Sequence, residues 1–172
     1  MDGKGGTACL FGVDSLRLDV PGRYAEVARE RVEECSRLVG RIVGDRPGGV
    51  GAAEWARRVL RDVDEVSRLL CEVIDSAELC RSTHSGRDWR AAAGQAWAII
   101  SAYMIELNAS APLYAGLENA LHAAEGSLDA VDLRMGHLQL QEFRAGGIHL
   151  PPHLSQKVRC CFSPLLCSPL RF

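Results

Sequence analysis

From Trp55 to Ala77 the apolar residues Trp55, Val59, Val63, Val66, Leu70, Val73 and Ala77 return at every third or fourth position. An α-helix turns once in about 3.6 residues, so this spacing lines one face of a helix, expected from Ala52 to Arg81. Arg57, Arg58, Arg61, Asp62, Asp64 and Glu65 fall between and form a charged face with possible i,i+4 pairs. A half-buried strand would alternate apolar and polar residues, and no segment sustains that alternation. The expected fold is therefore all-α, with short connections that pack successive helices roughly antiparallel. No repeat of fixed period is present, which excludes a solenoid.

Four other helices follow from the same argument. Pro21 suits a first helical turn and Gly44 a stop, bounding a helix from Pro21 to Val43 with Tyr24, Val27, Ala28, Val32, Cys35, Leu38, Val39 and Ile42 on its apolar side. The linker DRPGGVG separates it from the helix above. Ser85-Gly86-Arg87-Asp88 has the form of a capping box, opening a third helix that reaches Leu107. Its seam is Trp89, Ala93, Ala96, Trp97, Ile100, Tyr103, Met104 and Leu107, where alanines admit a close neighbour. Ser110 caps a fourth helix, with Pro112 in its first turn and Leu113, Tyr114, Leu117, Leu121 and Ala124 along it. Gly126-Ser127 breaks and recaps the chain. A fifth helix is expected from Leu128 to Arg144, with Val131, Met135, Leu138 and Phe143 inward, ending at Gly146-Gly147.

The chain has 172 residues, 47% of them hydrophobic and 24% charged, enough to build one core or part of a larger one. A net charge of −2 gives no basic surface for nucleic acid. No apolar run is long enough to span a bilayer. MDGKGGTACLFGVDSLRLDV has no basic segment followed by an apolar one, and its three aspartates, Asp2, Asp14 and Asp19, are foreign to transit peptides. If this start is genuine, the expected compartment is the cytoplasm. Among the seven cysteines, Cys35, Cys71 and Cys80 are expected as buried thiols on helices. Cys160, Cys161 and Cys167 cluster near the end without the Cys-x2-Cys spacing of zinc sites.

A hydrolytic zinc helix needs His-Glu-x-x-His, because i,i+4 spacing sets both imidazoles on one face. The nearest fragments are His122-Ala123-Ala124-Glu125 and His137 with Glu142, and Gly126 occupies the position where an inverted motif would need His. These are expected as partly exposed polar residues on helices. His84 is expected as a helix-end residue, where a cation suits the dipole. His149 and His153 flank Pro151-Pro152 with no carboxylate or thiol at ligand spacing. Gly48-Gly49-Val50-Gly51 precedes a helix but follows no strand, so it is expected as linker rather than phosphate loop. No catalytic, cofactor-binding or metal-ligating residue is assigned.

Several pieces, in order, resemble the N-terminal region of the mitochondrial intermediate peptidases, of the thimet oligopeptidase family of zinc metallopeptidases. They are Leu10-Phe11-Gly12, the Pro21 helix start, LCEVIDSAELCRSTH from Leu70 to His84, Trp89 with Ala91-Ala92-Ala93, Leu107-Asn108, Leu113-Tyr114, and Phe143 with Gly146-Gly147-Ile148-His149-Leu150. The resemblance covers residues 10 to 158. It implies a helical wall facing a deep channel, peptide or imported-precursor substrates, and a mitochondrial location. It also implies zinc, held in the family by the C-terminal half, of which these 172 residues carry no trace. The resemblance stops after Val158. RCCFSPLLCSPLRF carries Pro, Ser and Cys where the family continues a long helix, as a frame change or retained intron would.

The expected organisation is an extended leader over 1–20, a helical body over 21–150, and an interrupted helix start with a divergent tail over 151–172. The expected role is that of a truncated, inactive N-terminal portion of such a peptidase. The alternative is a non-catalytic helical interaction module; a small metalloprotein using the C-terminal cysteines and nearby histidines is a third. Helices draw most of their stability from tertiary packing. Apolar faces left uncovered would make the isolated chain marginal or prone to association.

Overall fold

The computed structural model of the chain describes residues 18–151. Its elements are α1 (Arg23–Val43), α2 (Ala52–Thr83), α3 (Arg87–Asn108), α4 (Ala111–Ala123) and α5 (Ala130–Ala145). All are helices, as the three- and four-residue spacing requires. They form part of the N-terminal helical half that the resemblance implies. The expected leader up to residue 17 and the tail beyond Pro151, including the helix start at Pro152, lie outside the described residues.

The helices divide into two compact units. Unit one takes α1 up to Cys35, α2 from Ser67, and α3 up to Ala102; unit two takes the remainder of those three helices, with α4 and α5.

In unit one, Tyr24, Val27 and Ala28 of α1 are buried with Leu69, Val73 and Ala77 of α2. Tyr24 Oη donates to the Ser76 carbonyl at 3.4 Å, and Arg31 meets Glu72 at 3.5 Å. Residue numbers rise on one helix as they fall on the other, so these stretches run antiparallel. On α3, Ala93, Ala96 and Ile100 are fully buried. Trp89 and Trp97 are only half-buried, and the Arg81 guanidinium lies 4.9 Å from the Trp97 ring centre.

Cys35 and Cys80 are buried, as expected, but Cys71 is exposed. Buried Leu69, Leu70 and Val73 bracket the inward face of α2, and position 71 turns away from it. Burial of the thiol's surroundings, and then the charge of Asp75, push Cys71 above the ordinary thiol range.

The α2–α3 turn departs from the expected capping box. The Gly86 carbonyl accepts the first α3 bond, from Arg90 N at 3.2 Å, so Gly86 caps the helix and Ser85 stands one residue outside it. The Gly86 N–H donates to His84 Nδ1 at 3.0 Å, so the histidine takes the cap residue's N–H, one of the two donors that a capping box satisfies.

Unit two is built around Trp55, Val59 and Leu60 of α2, Leu117 and Leu121 of α4, and Phe143 of α5. Ser110 caps α4, accepting from Leu113 N at 3.3 Å, with Pro112 in the first turn. Tyr114 and Phe143 meet edge to face at 6.0 Å. Arg144 reaches Glu118 at 3.2 Å, and so α4 and α5 are antiparallel.

Much of the charged face of α2 serves neighbouring helices. Arg58 does pair with Glu54 within the helix. Asp62, however, takes two bonds from Arg41 of α1, at 3.0 and 2.7 Å, and Arg57 reaches Asp132 of α5 at 3.1 Å.

The fifth helix starts later than expected and, although Phe143 is buried as expected, it turns Val131 and Leu138 outward. Its cap is Asp129, not Ser127, with Oδ1 accepting from Val131 N at 2.9 Å and Asp132 N at 2.8 Å. Gly136, Leu140 and Phe143 are buried, while Val131 is 77% and Leu138 47% exposed. The sequence supplies an apolar stripe on each side of α5, and periodicity cannot choose between them. Gly136 decides it. A Cβ there would lie 2.5 Å from a Leu121 methyl, so α4 approaches on the glycine side. The helix ends at the double glycine as expected. Gly147 takes φ 81°, its N–H reaches the Arg144 carbonyl at 2.9 Å, and Ile148 N reaches the Phe143 carbonyl at 3.2 Å.

Candidate functional site

The α4–α5 pair of unit two brings together residues that lie far apart in sequence. Glu118, His122, Glu125, His137, Gln141 and Arg144 line an open groove of about 500 Å³. It collects both of the fragments nearest to a zinc motif, except Glu142. Arg144 Nε donates to Tyr114 Oη at 3.0 Å, and Tyr114 Oη donates to Glu118 Oε1 at 2.6 Å. The bond to Tyr114 first, then that to Glu118, holds Arg144 above the ordinary arginine range.

Zinc is the ion the resemblance implies, and these side chains do not fit it. A zinc cradle needs three or four donors converging at about 2.0–2.3 Å, oriented by a second shell. His122 and Glu125 are 84% and 80% exposed, with Nδ1 and Oε2 3.6 Å apart. Among the described residues, no three His, Cys, Asp or Glu side chains come together as a metal-holding group.

The linker after α1 bounds a second groove, of about 460 Å³, with Arg41, Asp45, Trp55, Arg58 and Asp62 among its walls. Its cations are largely spoken for. Arg41 is held by Asp62, whose hydrogen bonds raise it above its ordinary value, and Arg58 is held by Glu54. Gly49 takes φ 80° and Val50 N bonds the Pro47 carbonyl at 3.2 Å, which makes the glycine run a turn leading into α2. His84 follows α2 as expected, and His149 is exposed beyond α5. His153, Cys160, Cys161 and Cys167 lie outside the described residues. No helix among the described residues is long and apolar enough to cross a membrane.

The chain is similar to known proteins over most of its length. A mitochondrial intermediate peptidase of Malassezia globosa is 34% identical over 146 residues, covering 84% of this chain and 17% of the relative. That of Mycosarcoma maydis is 34% identical over 156 residues, 87% of this chain and 17% of the relative. The Arabidopsis thaliana enzyme is 32% identical over 161 residues, 91% of this chain and 20% of the relative. No family model matches the chain, and no solved structure matches it. A helical body with this similarity is part of a peptidase lineage. The chain belongs to the mitochondrial intermediate peptidase family, and it spans 17–20% of the length of these relatives.

Proposed function

We propose that this chain supplies scaffold to a mitochondrial intermediate peptidase. Its helices would form part of the wall that limits access to peptide or precursor substrates, with zinc and hydrolysis belonging to sequence outside these 172 residues. The observation that carries this reading is similarity over more than four fifths of the chain to less than a quarter of each relative, in a sequence without His-Glu-x-x-His. The mitochondrial names of the relatives support the same compartment for this chain. Residues 21–150 form the helical body in this proposal, between a leader and a divergent tail. An independent interaction module is not favoured, because the match to a peptidase runs along 84–91% of this chain.

The test is a peptidase assay. Purified chain, supplied with zinc and a fluorogenic peptide, is expected to give no turnover above buffer. Robust hydrolysis abolished by a chelator would overturn the scaffold reading.

A further inference from the structure

Three helices of unit one converge on Trp89, and a histidine holds the turn beside it. Trp89 meets Tyr24 of α1 edge-on at 6.3 Å, and its carbonyl lies 3.8 Å from Cys80 Sγ of α2. The His84 ring lies 5.2 Å from the Trp89 ring at a tilt of 34°. The Gly86 N–H is a helix-start donor without an intrahelical partner, and His84 Nδ1 accepts it at 3.0 Å. A Cβ at Gly86 would lie 3.1 Å from the Trp89 ring and 3.2 Å from the His84 ring, so the turn is closely packed on both sides.

An imidazole nitrogen that accepts a hydrogen bond carries no proton, so the bond seen here requires the neutral ring with its proton on Nε2. We propose that His84 is a proton-operated latch on the α2–α3 turn: the neutral ring holds Gly86 and seats Trp89, and the imidazolium releases both. In the cation both ring nitrogens are donors, and Nδ1–H would face the Gly86 N–H.

Charged groups stand around the turn on both helices. Arg90 donates to the His84 and Ser85 carbonyls at 2.7 and 2.8 Å. Arg87 and Asp88 stand in the first turn of α3, and Arg81 of α2 is paired with Glu78 at 2.6 Å. From α1, Tyr24 meets the Trp89 ring.

Hydrogen exchange of the full chain at pH 5.0 and 7.5, corrected for intrinsic rates, tests the latch. Residues 84–90 are compared with a control segment in α2, residues 67–77. In the unmodified chain, protection at the turn is expected to fall roughly 3- to 10-fold on acidification, the scale of one modest hydrogen bond. His84→Asn keeps an acceptor oxygen but does not titrate, and should protect the turn equally at both pH values. His84→Ala should leave it unprotected at both. The proposal is overturned if the unmodified chain shows no loss. It is also overturned if His84→Asn shows the same loss, if His84→Ala protects like the unmodified chain at pH 7.5, or if the control segment loses protection equally.

Discussion

Gly116 of α4 packs directly against the backbone of Ile42 of α1, so closely that a Cβ at position 116 would overlap the Ile42 carbonyl oxygen. Backbone against backbone leaves nothing to rotate away. Gly116→Ala is therefore expected to push α4 off α1, at about 1–3 kcal/mol or more. At Gly136 the obstacle is the far end of the Leu121 side chain, which can change rotamer. Thermal melts of the two variants should show the larger fall for Gly116→Ala.

The two apolar stripes of α5 make opposite predictions. Phe143→Ala should cost about 3–5 kcal/mol, because Phe143 is buried in the core of unit two. Val131→Ser and Leu138→Ser, on the exposed stripe, should stay within about 0.5 kcal/mol and reduce concentration-dependent association. Denaturant titration and light scattering read the two effects. A large loss for Leu138→Ser would mean that it, and not Leu140, faces the core.

Caps give a second check on the same helix. Asp129→Ala should cost about 0.5–2 kcal/mol, since Asp129 accepts two backbone N–H groups, whereas Ser127→Ala should cost almost nothing. Equal melting shifts for the two would contradict the observed start at Ala130.

Ser76 and Ser101 are both 4% exposed but differ in partners. Ser76 Oγ donates to the Val73 carbonyl at 2.9 Å, while Ser101 Oγ has no partner among the described residues. Removing an unpaired buried hydroxyl relieves a desolvation penalty. Ser101→Ala should be neutral or stabilising, and Ser76→Ala should destabilise by about 0.5–1.5 kcal/mol, as measured by chemical denaturation.

Cys71 is raised by desolvation and by Asp75, so less of it is thiolate at a given pH. Iodoacetamide should label it more slowly at pH 8 than a free model thiol, and faster as pH rises. Asp75→Asn should quicken labelling modestly, by less than about 3-fold, because the charge is the smaller cause. Mass spectrometry of the alkylated peptide follows the rate. Buried Cys35 and Cys80 should react only on unfolding.

By itself the sequence determined the helices and most of their ends. Spacing of three and four fixes a helix through the geometry of the backbone, and Pro, Gly and Ser110 act within a turn of where they stand. It also carried the ordered resemblance to a peptidase lineage, and the lack of a zinc motif, because both are properties of residue order. Tertiary structure alone decided which stripe of α5 is buried, why Cys71 escapes the core, and that Arg41 and Arg57 serve neighbouring helices. It alone showed that His84 accepts the Gly86 N–H where a capping box was expected, and that His122 and His137 share a groove without forming part of a metal-holding group. Each depends on which neighbour arrives from far along the chain. A glycine such as Gly136 that admits a neighbour has no side chain to register in a hydrophobic pattern.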